Sequence, residues 1–147
     1  MILVSACLWG QRTRYDGRVL GVPPLLAALA PDEVLALCPE VLGGLPVPRP
    51  PARILGARPG REGADVLAGG ARLVDAQGRD VSQAFIAGAR EVLERALAGG
   101  VQKAYLKDRS PSCGHDPAGQ NPRGGPGQGV LAALLLAQGI EVIEVRL

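Results

Sequence analysis

The 147-residue chain has no apolar run long enough to cross a bilayer, no basic-flanked leader and almost no net charge. Its apolar start, residues 1–6, is too short for a membrane span and reads as a buried strand rather than a signal peptide, so a cytoplasmic protein is expected. A formal charge of +2, with the arginines scattered, gives no footprint for nucleic acid. Cysteine is scarce and odd in number, at three, which in a reducing compartment argues against a disulfide scaffold and for metal binding, catalysis or burial. Only two of the sixteen basic residues are lysine, and Asn and Met occur once each, a composition compatible with a thermophile or a GC-rich genome. At this length and with 47% hydrophobic residues the chain suffices for one core, so residues 1–147 are expected to form a single domain.

Short apolar runs at residues 2–6, 34–37, 101–106 and 140–145 read as strands. The first does not alternate, the pattern of a strand covered on both faces. Pro23 and Pro24 suit the first turn of a short helix ending before Pro31. The segment from Cys38 to Pro51 is rich in Gly and Pro and predicts irregular chain, long for a connector. Residues 64–67 and 71–74, with Gly69 and Gly70 between them, predict a small hairpin. Asp80 or Ser82 is placed to cap a helix over residues 83–97, in which Phe85, Ile86, Ala89, Val92, Leu93 and Ala96 form one stripe before Gly99 and Gly100 stop it. A further helix is expected over residues 128–137. Strands separated by helices give the α/β class: a mostly parallel, doubly wound, Rossmann-like sheet in three layers.

If the sheet is parallel, Cys7, Cys38 and Cys113 all lie beyond its carboxyl edge, where open α/β folds bind ligands. Burial is the ordinary fate of any one free cysteine; three at one edge point to a metal site with a position left open. The spacing leaves two alternatives. His115, two positions after Cys113, completes a Cys3His zinc set, the basis for a non-catalytic zinc or small-ligand binding protein; three thiolates on an iron–sulfur cluster instead leave one iron free for substrate. Glu40, two positions after Cys38, is a general base if it reaches the site and a solvated loop charge if it does not. Ser110 and Ser112, flanking Pro111, either form a turn or orient a nucleophile. Arg14 and Asp16 either brace their loop or read a polar ligand. Gly124, Gly125, Gly127 and Gly129 precede a helix and offer N–H groups to an anion, at a spacing that matches no phosphate fingerprint.

Three stretches are recognisable together: Ser5-Ala6-Cys7-Leu8-Trp9-Gly10 with Arg14-Tyr15-Asp16-Gly17; Cys38-Pro39-Glu40-Val41-Leu42-Gly43-Gly44-Leu45-Pro46 with Pro48-Arg49; and Leu106-Lys107 with Ser110-Pro111-Ser112-Cys113-Gly114. Collinear and spanning nearly the whole chain, they resemble domain-of-unknown-function family 523, which includes thiouracil desulfurases. The resemblance implies a 4Fe-4S cluster on Cys7, Cys38 and Cys113, with an open iron that takes the sulfur of a thiolated base without net redox. It places Glu40 with Ser110 or Ser112 as the acid–base groups. Arg14, Tyr15, Asp16, Lys107, Arg109 and Gly114 are then the expected substrate-binding residues, of which Lys107, Arg109 or Arg14 offsets charge on the leaving sulfide. The implied partner is a small thiolated base, with neither membrane nor nucleic acid. Two stretches depart from the family pattern: Thr13 stands where some relatives have another cysteine, and His115-Asp116-Pro117-Ala118-Gly119 replaces an aromatic segment that could wall the pocket.

Overall fold

The computed structural model describes residues 1–147. Strands β1 (Ile2–Ser5), β2 (Val34–Leu37), β5 (Lys103–Lys107) and β6 (Glu141–Val145) form one sheet in the order β2-β1-β5-β6, with every pairing parallel. The chain leaves β1 toward β2 and leaves β5 toward β6, so the two central strands part in opposite directions. A crevice opens at their carboxyl ends, the usual ligand position in such sheets.

Burial on both faces explains the unbroken apolar runs. Leu3 faces a main core of 18 buried residues, while its neighbour Val4 faces a smaller cluster with Leu8, Leu26 and Val145. The main core is built by α4 (Ser82–Ala98) and α5 (Val130–Ala137), which pack on each other. The other face is covered only by the 3-10 turn Ala6–Trp9, the short helix α1 (Pro24–Ala27) and their neighbours. The three layers are therefore unequal. No helix is long and apolar enough to cross a membrane.

Two expectations need correction. Residues 64–67 belong to a helix, α3 (Glu62–Leu67), and the partner of β4 (Arg72–Asp75) is β3 (Ala52–Leu55), paired antiparallel. At Gly63 an added Cβ would lie 2.1 Å from the Gly129 carbonyl oxygen, so α3 docks tightly on the start of α5. The proline-rich stretch after Cys38 is also not wholly irregular, because Pro39–Leu42 forms a one-turn helix, α2, with proline at its first position. At the start of α4, Asp80 accepts a hydrogen bond from the Ser82 N–H (2.9 Å), while the Ser82 hydroxyl accepts one from the Leu73 N–H (2.8 Å).

Helix α2 lies against α4 at backbone contact. A Cβ on Gly88 would fall 1.7 Å from the Pro39 carbonyl oxygen, and one on Gly43 would fall 2.0 Å from that of Ala84. Since neither backbone can yield without moving α2, Gly88→Ala is expected to cost about 1–3 kcal/mol of stability, as overpacking does. A denaturant titration giving an unchanged midpoint would refute this close approach.

Candidate active site

One cavity of about 250 Å³ lies at the carboxyl edge of the sheet, and Cys7, Cys38 and Cys113 all line it. Each is delivered by a different strand: Cys7 follows β1 in a 3-10 turn, Cys38 separates β2 from α2, and Cys113 ends the loop after β5. That loop is held by α5. The Val130 and Leu131 N–H groups donate to the carbonyls of Pro111 (3.0 Å) and Ser112 (2.8 Å), and the Gly129 N–H donates to that of Gly114 (2.7 Å). The Gly129, Val130 and Leu131 N–H groups are thus spent on positioning Cys113, while the Gly124 N–H donates to the Asn121 carbonyl (3.0 Å) and the Gly127 N–H to Glu62 (2.8 Å), which corrects the anion-binding reading of the glycine-rich entry.

A chain of hydrogen bonds crosses the cavity wall beside the thiols. The Arg49 guanidinium, with its side chain only 5% exposed, donates Nε to Glu40 Oε1 (2.9 Å), Nη2 to the Thr13 carbonyl (2.8 Å) and Nη1 to the Pro46 carbonyl (3.2 Å). Glu40 Oε2 accepts from the Ser112 hydroxyl (2.8 Å), which lies 2.9 Å from the Ser110 hydroxyl and 3.7 Å from Cys113 Sγ. A carboxylate only accepts and a hydroxyl has one proton, so Ser112 donates to Glu40 and Ser110 donates to Ser112. Ser110 Oγ also accepts from the backbone N–H groups of Ser112 (3.2 Å) and Cys113 (3.0 Å).

The model of the family described as 2-thiouracil desulfurase matches residues 2–146. The chain belongs to that family. It is 38% identical over 147 residues to the Bacillus subtilis (strain 168) protein YbbK, described as uncharacterized, covering 98% of this chain and 95% of YbbK. A solved structure described as 4Fe-4S-dependent thiouracil desulfidase TudS shares 41% identity, covers 97% of this chain and 89% of its own, and superposes with a TM-score of 0.76.

In this desulfurase-family cavity the thiols are poor anions by themselves. Burial first, and then the neighbouring Cys38, push the Cys7 thiol up to about 11 against the pull of Lys107 and Arg14. Burial pushes Cys113 up to about 12 despite a hydrogen bond from Ser5, and raises Cys38 as well. A bound metal centre ionises a coordinating thiol outright. The donor set is soft sulfur alone, and no three His, Cys, Asp or Glu side chains converge closely enough to hold one metal ion. Three thiols as the sulfur donors of the cavity would suit an iron–sulfur cluster with one iron left open, and no fourth ligand joins them for a closed Cys3His zinc site. His115 is absent from the cavity wall, its backbone N–H donating to Glu144 (2.9 Å).

The other expected substrate-binding residues divide. Arg14, Tyr15, Lys107 and Arg109 line the cavity; Asp16 and Gly114 do not. Asp16 braces Arg14 through paired bonds of 3.0 and 2.8 Å, and that guanidinium holds its carboxyl well below the usual carboxylate range. Arg14 lies 5.5 Å from the centre of the Tyr15 ring, within cation–π range. Gly114 closes the Ser110 turn, its N–H donating to the Ser110 carbonyl (2.8 Å), and a Cβ there would crowd that oxygen at 2.7 Å. Arg109 carries a left-handed backbone, with φ of 63°.

Three contributors escape the motif reading. Arg49 sits in a proline-rich loop, and only its place beside Pro48 in a collinear stretch hints at a role. Ser5 accepts from the Lys107 N–H (3.0 Å), linking the ends of the two central strands. Asp108, with a fully buried side chain, bonds the Lys107 ammonium and accepts from Asn121 (2.8 Å); burial opposes its charge, yet these two donors hold its carboxyl below the ordinary value.

Proposed function

We propose that the protein is a desulfurase that replaces the thiocarbonyl sulfur of thiouracil, or a similar free thiolated base, by oxygen from water, using a 4Fe-4S cluster held by Cys7, Cys38 and Cys113. The observation that carries this reading is the Ser110–Ser112–Glu40–Arg49 chain running beside three thiols in one cavity. When bound, the cluster supplies an open iron as a Lewis acid toward the sulfur. Overall, the C=S carbon exchanges sulfur for water oxygen and hydrogen sulfide leaves, so no electrons are transferred.

Glu40 takes up a proton as water adds. Its carboxylate draws on Ser112, and Ser112 on Ser110, so a proton accepted at Ser110 Oγ moves to Glu40 in two short hops. Two backbone N–H groups on Ser110 Oγ stabilise negative charge there. Arg49 holds the Glu40 carboxylate in place through the bond to Oε1. Lys107, aimed by Asp108 and lining the cavity beside Cys7, offsets charge on the departing sulfide.

The test is sulfide release from 2-thiouracil by protein reconstituted without oxygen. Cluster-loaded protein that releases no sulfide from any thiolated base would sink the proposal. Within it, Ser112→Ala breaks the relay and removes the 3.7 Å contact with Cys113 Sγ while leaving all three thiols in place, and turnover is expected to fall by about 10²-fold, as when acid–base assistance is lost, with the visible spectrum still that of a loaded cluster. An unaltered rate would remove Ser112 from the reaction.

A further inference from the structure

Behind the Glu40–Arg49 pair lies a second, smaller chamber of about 30 Å³. Glu40, Arg49 and Ala52 line both spaces, but no cysteine or serine of the main cavity reaches the rear one. Its remaining wall comes chiefly from Leu45, Pro46, Val81 and Phe85, with Asp75 and Arg79 at the far side. Arg79 Nε donates to Asp75 Oδ2 (2.9 Å); the Arg79 side chain is 61% exposed, so this wall residue also reaches solvent.

At about 30 Å³ the chamber exceeds the roughly 10–15 Å³ that one water needs by the same measure, and Glu40, Arg49, Asp75 and Arg79 put polar groups in its wall. In that wall, Glu40 Oε1 and Oε2 each accept one hydrogen bond, from Arg49 and Ser112, while a carboxylate has about four lone-pair sites. Free acceptor capacity therefore remains. The reaction consumes one water per turnover, and a base seated in the main cavity stands between that cavity and solvent.

We infer that the rear chamber is a water site serving Glu40: it admits water past Asp75 and Arg79, holds it against the Glu40 carboxylate, and resupplies the reaction and exchanges its proton while substrate fills the front. This rests on the reading of Glu40 as the base. The residues that make the chamber lie outside the three motifs' cysteines and serines, on the hairpin, α4 and the proline-rich loop.

The decisive measurement is a crystal structure of the cluster-loaded protein with uracil in the main cavity, paired with kinetics of Val81→Leu. The variant adds one methylene to the chamber wall. Ordered water within hydrogen-bond distance of Glu40 in the wild type, absent in Val81→Leu, is expected, with kcat down about tenfold or more, KM for thiouracil unchanged and the visible spectrum intact; misplacement of a reacting group by about 1 Å can cost about 10²-fold. A dry chamber in the wild type overturns the inference, as does a Val81→Leu protein whose chamber is dry and whose kcat is normal. If Val81→Leu fails to fold or to take up iron, the wild-type structure decides alone. Slow Glu40→Gln beside full-speed, dry Val81→Leu removes only the chamber; full-speed Glu40→Gln removes the base reading beneath it.

Discussion

Cys38→Ser protein, reconstituted without oxygen, should be colourless, should hold neither iron nor inorganic sulfide in stoichiometric amount, and should release no sulfide from thiouracil. Cys38 is singled out because its neighbours make the change local. Its Sγ meets the Thr13 carbonyl at 4.0 Å and backbone N–H groups of Val41 and Glu40, contacts a serine hydroxyl can also make, and the surrounding backbone is fixed by α2 packing on α4. The serine variant should therefore fold, which circular dichroism can establish. A hydroxyl is a hard, weakly acidic donor in place of a soft thiolate, and two remaining thiols leave the cluster without its third anchor. A brown Cys38→Ser protein with full iron content would count decisively against the ligand set, and stoichiometric zinc without iron in the wild type would revive the zinc alternative.

Glu40→Gln separates chemistry from assembly. The amide keeps the shape of the carboxylate and accepts from Arg49, but it cannot take a proton, so sulfide release is expected to slow by roughly 10²–10⁴-fold while the visible spectrum stays normal. A second effect follows from burial. The Arg49 and Glu40 side chains are 5% and 13% exposed, so the variant leaves a desolvated guanidinium without its counter-charge. Breaking such a pair costs about 3–5 kcal/mol, and Tm should fall by several degrees. The two readouts answer different questions. A fallen Tm with wild-type turnover makes Glu40 a purely structural partner of Arg49; loss of the cluster makes it a ligand or a scaffold for one.

Much of the fold was legible where local pattern and burial agree. Residues 34–37 coincide with β2, and the helix expected over 83–97 is found as Ser82–Ala98, because a 17-residue amphipathic helix repeats its stripe several times. The hairpin was misplaced because a four-residue strand has no such repetition. Ala52–Leu55 is recognisable only by its pairing with Arg72–Asp75, and the packing of Glu62–Leu67 on α5, through the close approach at Gly63, is a long-range contact that no local pattern announces. The site divides in the same way. The cysteines could be placed at one edge because each follows a strand whose direction the topology dictates. Arg49 reaches Glu40 through a loop path that no periodicity encodes, and the order of the two serines becomes clear only from where their protons go.

The frame of the cavity has a consequence for the life of the protein in air. Ser110, Ser112, Glu40 and Arg49 bond to one another, and the first N–H groups of α5 to the Pro111 and Ser112 carbonyls, so the frame is made of protein–protein hydrogen bonds and the thiols are not its main ties. In zinc fingers, by contrast, the ion supplies the folding energy and its removal unfolds the chain. Oxidative loss of the cluster should leave this molecule folded and empty rather than denatured, ready to be refilled. Damage would then be repairable by cofactor replacement, with no new synthesis of the chain, and the ratio of holo to apo protein would report recent oxygen exposure.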